Sequence, residues 1–193
     1  MAKNEDIFDV VDASDNVVAS MPRSAVHARG LMHRASHIIV FNGVGDDCGS
    51  ADAGCGAGTD ALERKILLQK RSPEKDLYPN LYTTSCSGHV DSGEDYDTAA
   101  VREMREETGV SISASDLLRI GKISPCAETG NEFTFVYVMN LPETTRFIPQ
   151  PEEVAALEWV CERDFRDMIA RSPELFTPSF LKVYNFYLSR GAK

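Results

Sequence analysis

A chain of 193 residues with 42% apolar and 26% charged residues has the length and composition of one soluble globular domain with a sizeable core. Thirty acidic against twenty basic side chains leave a formal net charge of −10. That balance excludes a general nucleic-acid binder or a membrane-surface protein, both of which need a basic face. Five cysteines (48, 55, 86, 126 and 161) form no C-x-x-C pair, so neither a disulfide framework nor a zinc ribbon is expected. With an acidic N-terminus and no apolar run long enough to span a bilayer, the chain reads as reduced and cytoplasmic.

In chain order, Ile7–Val11 and Val17–Ala19 flank a turn-rich segment and predict an N-terminal hairpin within residues 1–22. The pattern leaves open whether this hairpin covers a sheet edge or pairs with a second subunit in a homodimer. A basic stretch from Arg23 to Arg34 carries His27 and His33, and the apolar run Ile38–Phe41 predicts a strand. Residues 43–61 are Gly, Ala and Asp with little to bury, which predicts a mobile surface insertion in which Cys48 and Cys55 are bystanders. Strands are expected at Ile66–Arg71, Leu117–Ile123, Phe133–Met139 and Val154–Val160. A helix is signalled over Tyr96–Thr108 and stopped by Gly109. The C-terminal segment opens with Thr177-Pro178, and Phe180, Val183, Tyr184, Tyr187 and Leu188 share one helical face. Cys126, Cys161 and Trp159 read as packing residues. The sum is a mixed α/β domain covering residues 1–193.

The chemistry concentrates in residues 88–110. Residues three and four apart on a helix share a face, so Glu103, Glu106 and Glu107 converge on one side of the helix. Three carboxylates there repel one another unless something positive lies between them, and Mg²⁺, which takes oxygen ligands and bridges carboxylates to phosphates, is the natural partner. Arg102, four residues before Glu106, is placed to orient or partly neutralise it. An isolated acidic helix is more often a plain solvated face, but here the spacing is G-x5-E-x7-R-E-U-x-E-E-x-G-U, with Met104 and Val110 as the bulky aliphatic positions U.

This pattern resembles the signature box of the Nudix superfamily without a departure. The resemblance implies an α/β/α sandwich on a mixed sheet with a loop–helix–loop that holds Mg²⁺ or Mn²⁺. It further implies hydrolysis of a diphosphate linked to a group X, with a small-molecule diphosphate as the substrate. By the same resemblance Glu103, Glu106 and Glu107 are metal ligands, Glu94 is the accessory glutamate, and Gly88 is the turn that lets backbone approach the metal. A cation there lowers the pKa of a bound water and neutralises the diphosphate, and a further carboxylate takes the proton. Glu106, Glu107 and Glu132 are the catalytic candidates, with Glu152 and Glu153 as alternatives for the base.

The flanks, His27 to Ala35 and Leu68 to Pro79, resemble the isopentenyl-diphosphate isomerase branch of the superfamily and equally the hydrolases closest to it. Arg71 and Lys75 match its diphosphate-binding positions, and a basic Lys70-Arg71-x-x-x-Lys75 cluster suits recruitment of a polyanion. The isomerases hold a metal through three histidines and two glutamates. His33 and His89 match two of these, His27 matches a third if one residue is dropped, and Glu132 matches one glutamate, whereas Gly130 stands where the other belongs. Ser87 occupies the place of the isomerases' catalytic cysteine, and Cys86, one residue off, points to the opposite face of a strand. Both departures, with the full glutamate set, favour a Mg-dependent hydrolase acting on a nucleoside diphosphate derivative or a related compound, with an isopentenyl-diphosphate isomerase as the alternative.

Overall fold

A computed structural model describes residues 5–43 and 64–191. The 43–61 insertion, with Cys48 and Cys55, lies almost wholly outside the described residues. The chain begins as a two-stranded antiparallel ribbon, β1 (Ile7–Val11) and β2 (Val17–Pro22), followed by a short helix α1 (Arg23–Ala28). Then come β3 (His33–Phe41), β4 (Lys65–Arg71), β5 (Tyr82–Thr83) and β6 (Cys86–His89). Helix α2 (Tyr96–Thr108) is followed by β7 (Leu118–Ile123), β8 (Glu132–Asn140) and β9 (Val154–Cys161), and the chain closes with α3 (Glu162–Arg171) and α4 (Pro178–Gly191).

Strands β3 to β9 make one mixed sheet with the path β5-β4-β3-β8-β7, in which β6 pairs β3 and β9 pairs β4. The β3–β8 pair is parallel and the other ladders are antiparallel. Alternation along β3 divides the core in two. Ile38 and Val40 pack with Leu67, Cys86, Ala100, Met104, Tyr137 and Met139 beneath α2. Ile39 and Phe41 pack with Ile66, Leu68, Val136 and the aromatic face of α3 and α4, including Phe165, Phe180 and Tyr184. The three layers form the α/β/α sandwich expected from the box. No helix among the described residues is long and apolar enough to cross a membrane.

The structure departs from sequence expectation in two elements and settles the packing of a third. Strand β3 starts at His33, five residues before its apolar run, because parallel pairing with β8 carries it through polar positions. The basic stretch contains helix α1, whose Val26 packs with Phe8 and Val10 in a small core of its own. The N-terminal ribbon leans on the loop before α2: Ser92 donates its N–H to the Ile7 carbonyl at 2.8 Å, and Asp9 accepts from Ser92 Oγ at 2.7 Å and from Gly93 N–H at 3.1 Å.

Helix α2 has the ends its sequence encodes. Asp95 caps it by accepting the Thr98 N–H at 2.8 Å. Gly109 takes the left-handed conformation (φ 76°) that terminates it, and a side chain there would collide with Ile148.

Candidate active site

Two clusters of polar side chains flank β6, whose residues alternate between them. On the α2 side, the Glu103 carboxyl lies so close to the backbone of β6 that a Cβ at Gly88 would fall 2.0 Å from its carboxyl carbon. One turn on, Glu107 is buried and accepts the backbone N–H of Ser87 at 3.0 Å. Glu106 is more open to solvent than either. Burial, together with the Glu107 charge, pushes Glu103 up to about 8 even though Arg102 donates to it. Burial likewise raises Glu107, against hydrogen bonds from Ser87, Cys86 and Gln69.

Arg102 is the cation at the centre of this cluster. Its Nη1 donates to Glu103 Oε1 at 2.7 Å and to Glu106 Oε2 at 3.2 Å; Nε and Nη2 reach Glu94 at 3.0 and 2.9 Å. Nη2 also donates to the His89 carbonyl at 2.9 Å. One guanidinium thus serves Glu94, Glu103 and Glu106, and exposed Arg105 lies 3.6 Å from Glu106. An all-oxygen donor set with crowded, under-neutralised carboxylates fits a hard divalent cation such as Mg²⁺ or Mn²⁺.

The other cluster gathers His27 from α1, His33 from β3 and His89 from β6, with one ring nitrogen from each lying within 4.8 Å of the others. Register explains the meeting of elements: His33 faces Glu132 across the β3–β8 ladder, and His89 faces Ala35 across β3–β6. The Glu132 carboxylate lies 3.1 Å from His89 Nε2 and 3.5 Å from His33 Nε2. Burial would raise the Glu132 carboxyl, but the imidazoles of His33 and His89 beside it hold it well below the usual carboxylate range. His33 Nδ1 lies 2.9 Å from the Leu31 carbonyl, which can only accept, so Nδ1 carries the proton and Nε2 presents a lone pair. That Nε2 and the Nε2 of His27 are buried without a hydrogen-bond partner. Burial, then repulsion from His89 and His33, holds His27 down to about 4, so it is neutral near pH 7. The partnerless Nε2 atoms of His27 and His33, converging with His89 beside a carboxylate, are a donor set for a transition-type cation. Phe8 backs the cluster, stacked on His89 at 4.5 Å and on His33 at 5.8 Å between ring centroids.

A cationic edge adjoins the carboxylates. Arg71 donates Nε and Nη2 to the Leu77 carbonyl at 3.1 and 2.9 Å. Burial lowers its pKa, the charges of Glu107 and Glu153 oppose that shift, and Arg23 repels it. Neither Arg23 nor Arg71 has an ion-pair partner among the described residues, whereas Lys75 is paired with Glu153.

The NUDIX domain profile matches residues 58–180, well over half of the chain. The chain belongs to the Nudix family. It is 31% identical over 184 residues to an uncharacterised Nudix hydrolase of Yersinia pestis, covering 95% of this chain and 86% of that protein. It is 30% identical over 186 residues to the isopentenyl-diphosphate Delta-isomerase of Serratia proteamaculans, covering 93% and 89%. Among solved structures, a Deinococcus radiodurans protein superposes with a TM-score of 0.65 at 27% identity over 86% of this chain and 90% of that one. The Nudix profile begins after His27 and His33, which the full-length relatives span.

Of the positions picked from the sequence, Glu103 lies against Gly88, Glu107 accepts the Ser87 N–H, and Glu106 shares the Arg102 guanidinium with Glu103 while staying open to solvent. Glu132 joins the histidines. Glu153 is taken up by Lys75, and Glu152 is exposed. Lys70 alternates away from Arg71 and lies 5.9 Å from the Tyr82 ring centroid, so the basic cluster does not act as a unit. His37 stays out of the triad: it is buried, with Nδ1 2.9 Å from Thr84 Oγ1 and its pKa held down to about 4 by burial. Sequence reasoning missed Phe8 and Arg23 altogether. The signal for Arg23 was its position four residues before His27, one turn away on a helix that the basic stretch did not advertise.

Proposed function

We propose that this protein is a Nudix hydrolase that uses Mg²⁺ or Mn²⁺ to cleave the diphosphate of a nucleoside diphosphate derivative or a related small molecule in the cytoplasm. The observation that carries the reading is the fit of Glu103 against Gly88, with buried Glu107 on the neighbouring Ser87 N–H and the Arg102 guanidinium shared by Glu103 and the open Glu106. Glu103, Glu106 and Glu107 would hold the cation. When bound, it supplies positive charge to the diphosphate oxygens and acidifies water. Arg102 fixes Glu103 and Glu94, so the ligand carboxylates are oriented before substrate arrives. Glu106, the most open of the three, is the carboxylate best exposed to take a proton, with Glu107 behind it. Arg71 and Arg23, unpaired in a chain of charge −10, attract the diphosphate; Lys75 can follow by exchanging Glu153 for phosphate.

The histidine cluster supports a second reading, an isopentenyl-diphosphate isomerase, in which His27, His33, His89 and Glu132 would hold the cation and Glu132 would serve as the proton-handling group. Ser87 in place of a thiol weighs against it. One experiment separates the two. Nucleoside diphosphates and triphosphates, dinucleotides, nucleotide sugars and isopentenyl diphosphate are incubated with Mg²⁺ and wild type or Glu106→Gln. Phosphate is read directly and after added pyrophosphatase or phosphatase. Cleavage reduced roughly 10²–10⁴-fold in the variant is expected. No cleavage, with migration of the isopentenyl double bond, would overturn the hydrolase and establish the isomerase.

A further inference from the structure

The chain between β6 and α2 turns sharply, and the turn is held from far away in the sequence. Glu94 donates its backbone N–H to the Asp91 carbonyl at 2.9 Å, closing a β-turn with Ser92 and Gly93 at its centre. Both central residues are bonded to one buried carboxylate of β1. Asp9 accepts from Ser92 Oγ at 2.7 Å and from the Gly93 N–H at 3.1 Å, and a third bond comes from Ser20 Oγ of β2 at 2.7 Å. The same turn seats Glu94. Its Oε2 accepts the Asp91 N–H at 3.1 Å, and its carboxylate meets Arg102 Nε at 3.0 Å and Nη2 at 2.9 Å. Arg102 in turn donates to Glu103 and Glu106. An unbroken path of hydrogen bonds and one short turn therefore leads from Asp9 to the carboxylates.

We propose that Asp9 is a positioning residue for the carboxylate metal site. By holding Ser92 and Gly93 it fixes the turn that aims Glu94 at Arg102, and through Arg102 it sets Glu103 and Glu106. The inference rests on the reading of those carboxylates as metal ligands and adds a residue that lies outside both the box and the matched profile. Two observations favour this role over a plain anchor for the ribbon. Two of the three bonds to Asp9 come from the centre of the turn and only one from the ribbon. The ribbon also has a separate attachment, because Asp15 accepts from Arg34, Tyr96 and Lys122. A long arginine side chain keeps one orientation only while its acceptors are themselves fixed, and groups that orient metal ligands govern metal affinity.

The test is Mn²⁺ binding, followed by the electron paramagnetic resonance signal of the free ion, with a melting temperature for each protein. Wild type is compared with Glu106→Gln, Asp9→Ala, Asp9→Asn and Asp12→Ala. The Mn²⁺ that Glu106→Gln weakens is the carboxylate-bound class. Asp9→Ala is expected to weaken that class roughly tenfold. Asp9→Asn is expected to bind as wild type, since its amide oxygen accepts from Gly93 while its NH₂ donates to Ser92 Oγ. Asp12→Ala loosens the ribbon's own turn, where Asp12 accepts the Ser14 and Asn16 N–H groups, and is expected to leave Mn²⁺ affinity unchanged. If Asp9→Ala does not fold, Ser92→Ala, which removes one bond to Asp9 and keeps that of Gly93, is read in its place with the same direction expected. Unchanged affinity in Asp9→Ala, or an equal loss in Asp9→Asn or Asp12→Ala, overturns the proposal. So does a loss confined to Mn²⁺ that Glu106→Gln leaves bound, which would assign the effect to the histidines through Phe8. If Glu106→Gln alters no Mn²⁺ binding, the metal reading itself falls and the proposal with it; a Glu106→Gln effect without an Asp9→Ala effect refutes the proposal alone.

Discussion

At Gly88 a single hydrogen in place of a methyl group lets Glu103 lie against β6. Gly88→Ala places a carbon 2.0 Å from the Glu103 carboxyl carbon, so Glu103 must swing off the strand or the strand must move. We expect a loss of about 1–3 kcal/mol in urea denaturation, with phosphate release falling toward the Glu106→Gln level. The box itself was legible because helical spacing alone brings residues 103, 106 and 107 to one side. What spacing does not encode is which of them a neighbouring strand will bury, and hence why burial raises Glu103 and Glu107 while Glu106 stays open. His27 matches the isomerases only with one residue dropped from the intervening segment, yet the turn at Arg29-Gly30, with the Gly30 N–H donating to the His27 carbonyl at 3.1 Å, carries the chain back to His33. Phe8 touches His89 across most of the N-terminal half of the chain, a contact that no local pattern signals.

At the scale of elements, the junction of β4, α3 and α4 hangs on Glu162. Only 3% exposed, it accepts from Arg64 Nε at 2.8 Å, Arg166 Nη2 at 2.7 Å and Tyr184 Oη at 2.9 Å. These donors hold its carboxyl below the usual range despite burial. Glu162→Ala would leave half-buried Arg64 without its carboxylate, and we expect roughly 3–5 kcal/mol of destabilisation, read as a lower urea midpoint. The strand cores and both long helices were readable because their apolar periods are unmixed. The start of β3 and helix α1 were not. Their residues are polar, and only the partner strand β8 in one case and the Phe8–Val10 surface in the other makes those conformations worthwhile.

Across the whole molecule, acid should act through groups kept in one charge state by the fold. His37 ordinarily titrates at 6.5 but is held down to about 4. Below pH 6.5 the unfolded chain takes up a proton that the folded chain refuses, so stability falls as pH drops toward 4 and levels off below it, by about 3 kcal/mol for this residue. Glu132, with its pKa lowered in the fold, contributes stability above its unfolded value that is lost as pH falls further. The raised carboxyls of Glu103 and Glu107 work the other way over this range, because the fold takes up their protons first, so the test is a difference. From pH 6.5 to 4 the urea midpoint of wild type should fall relative to that of His37→Gln, and a difference independent of pH would remove His37 as a cause. The β3–β4 pair has a different consequence. These two strands meet at a single register position, Phe41 with Ile66, and just beyond it Asn42 and Lys65 exchange two hydrogen bonds, N–H to carbonyl and N–H to Oδ1, each at 3.1 Å. The ends of the connection are therefore fastened independently of what lies between them. Closure entropy grows only by about 0.6 kcal/mol for each doubling of the length of a flexible loop, so ends fastened in this way make a place where a connection can change length at little thermodynamic cost.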